Sequence, residues 1–296
     1  MLKYALGMDA SKNDIHVCLS VIDFRQQVKV KASSKFANNH RGFKDLLLWL
    51  NRHKKEAGIP LVNVIEATGV YYEACALFLL QAGFDVAVVL PNKAKKYLQA
   101  LGLRSKNDKI DAAGLARMGA EQCLELWQPM DAFFFTLRAM TRHHQALQEL
   151  RTSIHNQIHA DEHSIYSIKS ITRQHKKLKA TIEKQLEEIE QSIHDHLYSD
   201  AEVAEKINHI TSIKGLGYMT VATILAETNG FVLFKSIAQL ISYAGYDVIE
   251  DQSGDHTGKT KISKKGNRRI RRALHMPAFN MIRYEVGNFK PFFDRI

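Results

Sequence analysis

The first 128 residues alternate short apolar runs with amphipathic stretches, and this order restricts the fold more than any other feature of the chain. Runs of apolar and β-branched residues predict three consecutive strands over residues 4–9, 15–22 and 28–33. The turn residues between them favour an antiparallel meander. Apolar residues spaced three and four apart then predict a helix over residues 41–55.

The same region continues with strands and helices in alternation. The predicted segments are a strand over residues 61–65, a helix over 71–81, a strand over 84–90, and helices over 93–101 and 109–121. Three strands and a helix, followed by alternating strands and helices, is the element order of a ribonuclease H-like domain, which is a mixed α/β fold. We therefore expect such a domain over residues 1–128.

Four carboxylates occupy comparable positions in this predicted domain. Asp9 follows the apolar run of the first strand, and Glu66 follows that of the fourth. Asp108 and Asp111 lie at the start of a predicted helix, where a spacing of three places both side chains on one face. Acids at the ends of buried strands repel one another unless a cation lies between them, and Mg²⁺ prefers oxygen ligands. Two such ions about 4 Å apart can hold the attacking and leaving oxygens of a phosphodiester, so the pattern predicts metal-dependent cutting of nucleic acid.

Each acid also has a simpler interpretation. An aspartate after a strand is commonly a turn residue or a helix N-cap. Asp108 and Asp111 would both favour the positive end of a helix dipole. Asp14 and Glu73 lie close to the same motifs and are alternative acids. Glu73 falls seven residues after Glu66, on the following helix, so we expect it on the surface or behind the metal ligands.

The middle of the chain has the composition of a helical arm. Residues 131–205 contain neither proline nor glycine. The apolar stripe of the second predicted helix comprises Ile171, His175, Leu178, Ile182, Leu186, Ile189, Ile193 and Leu197. The stripe of its partner helix comprises Leu137, Leu147, Ile154 and Ile158. With a break within residues 161–170, the pattern predicts a coiled-coil helical hairpin over residues 129–205, suited to oligomerisation. No cysteine or carboxylate constellation accompanies its histidines, so we expect no metal there.

The chain is basic, with a formal net charge of +10 and a pI near 9.4, which favours an acidic partner such as nucleic acid. A basic segment in the third region, residues 206–296, comprises Lys259, Lys261, Lys264, Lys265, Arg268, Arg269, Arg271 and Arg272. No aspartate or glutamate interrupts residues 256–284, whereas a merely solvated face usually interleaves acids. Clustered lysine and arginine neutralise phosphates and release counterions, so the segment predicts salt-dependent binding of nucleic acid.

Two loops of the third region carry weaker signals. Lys214, Gly215 and Gly217 precede a predicted helix and resemble a helix-hairpin-helix element, in which backbone N–H groups bind a phosphate. An ordinary tight turn explains the same residues. Ser253 lies in a polar loop. A serine nucleophile needs a base or a metal to activate it, and none is visible nearby, so the residues alone favour a turn at Ser253.

The cysteines and the apolar runs of the chain indicate its cellular compartment. Cys18, Cys75 and Cys123 lack metal-ligand spacing and fit buried thiols in a reducing cytosol. The N-terminus carries no signal-peptide pattern, and no apolar run approaches the roughly 20 residues that span a bilayer. We therefore expect a cytoplasmic protein without a membrane partner.

The motifs together resemble those of the insertion-sequence-110 transposases and the related Piv-type DNA invertases. The Asp-Glu-Asp-Asp signature of that family is similar to GMDASK at residues 7–12, IEATG at 65–69 and KNDKIDA at 106–112. The C-terminal resemblance rests on IKGLG at residues 213–217, FKS at 234–236, QLISYAG at 239–245, SG at 253–254 and ISKKGNRR at 262–269. The resemblance covers nearly the whole chain.

This resemblance implies a RuvC-like N-terminal domain in which Asp9, Glu66, Asp108 and Asp111 hold Mg²⁺, with two ions in the acidic site. It also implies that the hairpin is the coiled-coil arm of the family and that residues 206–296 are its C-terminal transposase domain.

The resemblance extends to mechanism and partners. Ser253 matches the serine that attacks DNA in this family and forms a phosphoserine intermediate, and the metals would supply the activation that no neighbouring base provides. The site would join the acids of one protomer to the serine loop of another, in a homodimer or tetramer. A structured non-coding RNA, the bridge RNA, would pair with donor and target DNA and so choose the sites.

The resulting prediction is a site-specific DNA recombinase that mobilises an insertion sequence. One alternative is a Mg²⁺-dependent hydrolytic nuclease of the junction-resolving type, in which water attacks and Ser253 is only a turn residue. Another is a non-catalytic nucleic-acid-binding protein that uses the basic segment. A kinase or actin-like domain shares the strand-aspartate opening, but the chain shows no second glycine-rich phosphate loop.

Overall fold

The computed structural model describes residues 1–102, 107–232, 234–250, 252–253 and 256–295. The chain divides into two compact units, Met1–Pro129 and Met130–Ile296. Within the motifs named above, Lys106 and Gly254 lie outside the described residues. No helix in the described part of the chain is both long and apolar enough to cross a membrane.

The first unit is built around one five-stranded sheet. Its elements are β1 (Lys3–Ala10), β2 (Asp14–Ile22), β3 (Val28–Ala37), α1 (His40–His53), β4 (Leu61–Glu66), α2 (Glu73–Gln81), β5 (Asp85–Val89), α3 (Pro91–Ala100) and α4 (Asp108–Glu121). The strand order is β3-β2-β1-β4-β5. The pairs β1–β2 and β2–β3 are antiparallel, whereas β1–β4 and β4–β5 are parallel. This mixed sheet confirms the predicted ribonuclease H-like, RuvC-like domain.

Helices cover both faces of the sheet, and the alternation of side chains along β1 determines which residue meets which helix. Leu6 and Met8 point into a core shared with α1 and α2. Ala5 points to the other face, into a core shared with α4. Gly7 lies on this second face, where an added Cβ would come within 2.1 Å of the carbonyl oxygen of Ala112. Helix α4 therefore packs on β1 at a distance that only glycine allows.

The helices described in this unit begin one or two residues from their predicted positions, and α1 begins at His40, one residue early. Helix α2 begins at Glu73, two residues late, because the turn after β4, with Gly69 at a φ of +59°, occupies the preceding residues. Pro91 follows β5 as predicted but is also the first residue of α3, where its fixed φ and missing N–H suit the position. Helix α4 begins at Asp108, one residue early, because the side chain of Asn107 caps it with a 2.9 Å hydrogen bond.

The second unit opens with the predicted hairpin. Its two helices are α5 (Ala132–His163) and α6 (Lys169–Tyr198), joined by residues 164–168. The predicted stripe of α5 is confirmed, because Leu137, Leu147, Ile154 and Ile158 are all buried. They pack on residues of α6 such as Ile182, Leu186 and Ile193.

The predicted stripe of α6 is wrong near the tip of the hairpin. Ile171 and Leu178 are 40% and 48% exposed, whereas Thr172 is buried. A coiled-coil seam follows a strict seven-residue repeat. Counting back by seven from the buried Ile193 leads to residues 186, 179 and 172, so the seam continues toward the tip through Lys179 and Thr172. The two apolar residues fall outside this repeat and face solvent.

The rest of the second unit is a set of short elements at the base of the hairpin. They are α7 (Ala201–Thr211), α8 (Tyr218–Thr228), α9 (Ile237–Ala244), β6 (Val248–Ile249), β7 (Gln252–Ser253), β8 (His256–Thr257), β9 (Lys261–Ile262), α10 (Arg268–Arg283) and α11 (Phe289–Arg295). Helices α7 and α8 pack against both long helices in one apolar core. Because α7 runs through residue 205, the division there between an arm and a C-terminal domain stays a prediction.

Candidate functional site

Two of the predicted acids, Asp9 and Glu66, lie at the C-terminal ends of neighbouring strands of the sheet. Strands β1 and β4 are parallel neighbours, and their register pairs the residues directly before Asp9 and Glu66. Side chains alternate along a strand, so Asp9 shares a face with Gly7 and Glu66 shares one with Val64. Both faces are the one that α4 covers. The two carboxylates therefore lie side by side on the α4 face.

The first turn of α4 approaches the same ends of these strands. From Ala5 to Gly7 along β1, the contact with α4 shifts from Gly119 to Ala112, so the helix runs antiparallel to the strand. Continuing in this direction leads from Gly7 toward Asp9 on the strand and toward the beginning of the helix. Asp108 and Asp111, the acids of that first turn, thus lie toward the same end of β1 as Asp9. We call this region, with Asp9, Glu66, Asp108 and Asp111, the acidic corner.

His16 provides a direct contact at the acidic corner. It is paired with Asp9 across β1 and β2, and its Nε2 lies 3.5 Å from Oδ2 of Asp108. The side chain of His16 is 24% exposed and that of Asp108 is 61% exposed. The sequence reasoning missed this histidine. The available signal was the short hairpin between β1 and β2, which sets position 16 opposite position 9.

The four acids are the type of ligand that magnesium prefers, but their side chains do not converge on one point. Asp9, Glu66 and Asp111 are half-buried, and Glu66 accepts a 3.2 Å hydrogen bond from the hydroxyl of Thr68. Within residues 1–102 and the other described segments, no three histidine, cysteine, aspartate or glutamate side chains converge closely enough to hold a metal ion. All four groups are carboxylates, which are the donors that a hard divalent ion prefers.

The two alternative acids have other positions. Asp14 begins β2 and forms an ion pair with Lys35 at 2.8 Å. Glu73 is the half-buried first residue of α2. An acid at the start of a helix is stabilised by the helix dipole, which accounts for Glu73 without a metal.

In the second unit, the basic segment divides into exposed and engaged side chains. The exposed cations are Lys259, Lys261, Lys264, Lys265, Arg268 and Arg272, and of these Arg272 also forms an ion pair with Glu149. The other two are half-buried and make contacts inside the unit. Arg271 donates a 2.7 Å hydrogen bond to the carbonyl oxygen of Ala244, and Nε of Arg269 lies 3.9 Å from Oε1 of Glu227. The exposed set is therefore the part of the basic segment that can reach a phosphate.

Glu227 is a buried carboxylate that fixes the start of the basic helix α10. Its side chain is 1% exposed and accepts hydrogen bonds of 2.7 and 2.9 Å from Arg142 and one of 2.7 Å from Asn267. Asn267 also caps α10, because its Oδ1 accepts a hydrogen bond from the backbone N–H of Arg269. Burial alone would raise the pKa of Glu227, but the hydrogen bonds from Arg142 and Asn267 and the charge of Arg142 outweigh it and hold the pKa below its usual range.

Sequence reasoning also missed Glu227. The signal was a single acid in the otherwise uncharged stretch VATILAET of α8. An isolated charge of this kind on a buried helix requires a partner, and Arg142 lies 85 positions away in the chain.

The loop before α8 packs against the end of α10. Gly215 has a φ of +100°, and an added Cβ would lie 3.3 Å from Cγ of Met281. Gly217 is the N-cap of α8 and supplies no side-chain hydrogen bond. The Nζ atom of Lys214 lies 5.1 Å from the ring centroid of Tyr284. The first turn of α8 thus keeps backbone N–H groups that no side-chain cap engages, as a phosphate site requires.

Ser253 lies in a short two-stranded ribbon. Strand β7 pairs with β8, and Ser253 is opposite His256. Strands β6 and β9 form a second such ribbon on either side of it in the chain. The side chain of Ser253 lies outside the described part of the structure, so its nucleophilic role stays a prediction.

Comparisons with known proteins match both parts of the chain. A transposase family model with the DEDD signature of IS110 matches residues 6–161. A second model, described as "Transposase IS116/IS110/IS902 family", matches residues 207–294. Among solved structures, Thermus thermophilus RuvC matches with a TM-score of 0.33 and 13% identity, over 42% of this chain and 99% of that chain.

Curated relatives match along most of their length. The chain is 30% identical to the pilin gene-inverting protein of Moraxella bovis over 279 residues, which are 94% of this chain and 83% of that protein. It is 21% identical to the transposase for insertion sequence element IS1111A of Coxiella burnetii (strain RSA 493 / Nine Mile phase I), over 80% of this chain and 72% of that protein. The chain therefore belongs to the IS110 family of transposases and is related to the pilin gene-inverting proteins.

Proposed function

We propose that the chain is a Mg²⁺-dependent, site-specific DNA recombinase that mobilises an insertion sequence in the cytoplasm. The observation that carries the proposal is the acidic corner, in which two neighbouring parallel strands and the first turn of α4 bring Asp9, Glu66, Asp108 and Asp111 toward one edge of a sheet. Membership of a transposase family fits the same chemistry.

The four acids would hold two Mg²⁺ ions. When bound, the ions polarise the scissile phosphate and stabilise the charge that develops on its oxygens. The chain itself positions the donors. The contact of α4 with Gly7 sets the distance between the helix and β1, and Asn107 fixes where the first turn begins. His16 holds the exposed carboxylate of Asp108 toward the strand that carries Asp9.

Ser253 would be the nucleophile. Its Oγ would form a bond to phosphorus as its proton passes to solvent, while the bond from phosphorus to one deoxyribose oxygen breaks and that oxygen takes up a proton. The resulting phosphoserine conserves the bond energy that rejoining requires. The acids of one protomer would act with the serine loop of another, which requires a dimer or tetramer. This assignment is supported by the family match over residues 207–294, which includes Ser253.

The three regions of the chain would have separate tasks. Residues 1–128 would form the catalytic domain, 129–205 the coiled-coil arm and 206–296 the C-terminal domain with the serine loop. A structured bridge RNA would select donor and target DNA by base pairing. The exposed cations of the basic segment, together with the loop of Lys214, Gly215 and Gly217, would bind the phosphates of DNA or RNA.

The test is a strand-exchange assay with the full chain, Mg²⁺ and DNA that carries the ends of the encoding element. RNA that copurifies with the protein is recovered and sequenced, and the products are run on a denaturing protein gel. We expect a covalent protein–DNA adduct that is absent in Ser253→Ala and present in Ser242→Ala, which changes an exposed serine on α9.

Each other outcome identifies a different function. Cleavage without an adduct would establish a hydrolytic nuclease in place of the serine mechanism. Tight binding without cleavage would establish a nucleic-acid-binding protein. Strand exchange by protein that carries no discrete RNA would remove the bridge RNA from the proposal.

A further inference from the structure

The tip of the hairpin carries basic residues that lie outside the basic segment of the C-terminal region. Lys169, Arg173, Lys176 and Lys177 are exposed and follow one another at spacings of four, three and one along α6. This spacing places them on one helical face, and they line an open cleft of about 590 Å³ together with Glu162. No aspartate or glutamate occurs in residues 163–182. We call these four residues the tip surface.

Acids of α5 neutralise only part of this charge. Lys176 forms an ion pair with Glu162 at 2.7 Å, and the neighbouring His175 contacts Asp161 at 2.8 Å. Within the described residues, no ion pair engages the other three cations of the tip surface. A solvated helix face usually pairs its cations with acids one turn away, as Lys184 does with Glu188 farther along α6. The tip surface therefore presents unpaired positive charge.

The end of α6 adds to this positive potential. The helix has 30 residues, and its N-cap, Ile168, supplies no side-chain hydrogen bond to the first turn. A helix N-terminus carries the equivalent of about half a positive charge, and its free N–H groups bind anions. Lys169 and Arg173 project from the first two turns, beside those groups. The tip thus combines three cations with a helix N-terminus at one place, which matches a chain of phosphates.

The position of the tip surface along the arm suits a long polyanion. Arg272 of the basic segment forms an ion pair with Glu149 of α5. Helix α5 continues for 14 residues from Glu149 to its end at His163, which corresponds to about 21 Å at 1.5 Å per residue. This length equals about six base pairs of duplex at 3.4 Å each. The two basic regions are therefore separated along the arm by less than one turn of a duplex.

We propose that the tip surface binds the phosphate backbone of duplex DNA. This inference rests on the proposed function, in which DNA is the substrate. The arm then has a role in holding DNA in addition to its proposed role in oligomerisation. The contact reads no sequence, because lysine and arginine on phosphates position a duplex without distinguishing its bases.

The test measures the affinity of the full chain for a 40-base-pair duplex at several salt concentrations. EDTA is present, so the result does not depend on cleavage or on the metal. The variant Arg173→Gln/Lys177→Gln removes two cations of the tip surface. Each lost phosphate contact lowers the slope of log affinity against log salt by about 0.9, so we expect a slope smaller by about 1.8 and an affinity lower by about 60-fold at 0.1 M salt.

The matched control is Lys184→Gln/Lys206→Gln, which removes the same charge from exposed sites on α6 and α7 that are paired with Glu188 and Glu202. We expect it to leave the slope within about 0.5 of the wild type. Equal loss in both variants, or no loss in either, overturns the proposal. If Arg173→Gln/Lys177→Gln loses affinity only for a structured RNA of equal length, the surface binds RNA and the proposal that it binds DNA is overturned.

The proposed function would be contradicted by a different result, which is that the wild type does not cleave DNA in Mg²⁺. That result leaves the binding comparison intact. A change in oligomeric state of Arg173→Gln/Lys177→Gln by light scattering, without a change in slope, assigns the tip to self-association and overturns the proposal.

Discussion

The guanidinium of Arg142 on α5 donates two parallel hydrogen bonds to the carboxylate of Glu227 on α8, with lengths of 2.7 and 2.9 Å. The same carboxylate accepts a third hydrogen bond from Asn267, the N-cap of the basic helix α10. One buried charge therefore connects the arm to the helix that carries Arg268 and Arg272. The position of these exposed cations depends on Arg142 and Glu227, two residues that lie outside the basic segment.

The substitution Glu227→Gln should destabilise the second unit by about 2–3 kcal/mol. Breaking a fully buried ion pair costs roughly 3–5 kcal/mol, and the cost is smaller here because Arg142 is 39% exposed. Urea unfolding followed by far-UV circular dichroism measures it. Both tryptophans, Trp49 and Trp127, belong to the first unit, so their fluorescence provides an internal reference that should not change. Glu202→Gln is the control, because Glu202 is 78% exposed and should have little effect.

The stability of the second unit should fall in acid because of the same residue. The pKa of Glu227 is lower in the folded protein than in the unfolded chain, where a glutamate titrates near 4.3. A lowered folded pKa contributes stability that is present above the unfolded value and is lost as the pH falls through the folded value. The unfolding free energy of the wild type should therefore decrease below about pH 4.5. The Glu227→Gln variant should show a shallower decrease, and equal slopes would contradict this account.

The substitution Gly7→Ala should disturb the acidic corner directly. An added Cβ would lie 2.1 Å from backbone atoms of both Ala112 and Ala116, and a backbone cannot move aside as a flexible side chain can. Overpacking of this kind costs about 1–3 kcal/mol and would displace α4 from β1. We expect an earlier unfolding transition by tryptophan fluorescence and a loss of strand cleavage.

Gly58→Ala is the matched control for this prediction. An added Cβ at Gly58 meets no atom within 4 Å, so the variant should unfold and cleave like the wild type. Normal stability and cleavage in Gly7→Ala would show that the contact between α4 and β1 does not position the acids.

Local patterns were sufficient to predict the five strands, because β1, β4 and β5 carry short apolar runs, although β3 extends to Ala37, four residues beyond its predicted end. They were also sufficient for the middle of the hairpin, where Ile154 and Ile182 mark the seam. At the tip the seam passes through Thr172 and Lys179, and the strict heptad outweighs the apolar character of Ile171 and Leu178. Counting apolar residues therefore assigns the wrong face where the buried positions are polar.

The part of the candidate site that the sequence could not predict consists of contacts between residues that are distant in the chain. The positions of the acids along the chain could be predicted because Asp9 and Glu66 lie at the end of a strand signal, and Asp108 and Asp111 lie at the start of a helix signal. The position of His16 depends on the register of β1 and β2, and the pair of Arg142 and Glu227 depends on how α5 packs on α8. From their charge, Arg269 and Arg271 were predicted to bind phosphate with the other cations, yet both side chains make contacts within the unit. Composition predicts the sign of the charge on a surface, but it does not predict where each charged side chain points.

We propose that the acidic corner carries out Mg²⁺-dependent strand cleavage, and single carboxamide variants test this role most directly. Cleavage rates are compared for the wild type, Asp9→Asn and Asp14→Asn, over a series of Mg²⁺ concentrations and with equal folding established by circular dichroism. Asp14 lies close by in sequence and is paired with Lys35, so it controls for a general loss of negative charge. We predict cleavage at background level for Asp9→Asn at every Mg²⁺ concentration and a normal rate for Asp14→Asn. A normal Mg²⁺-dependent rate in Asp9→Asn would contradict the account.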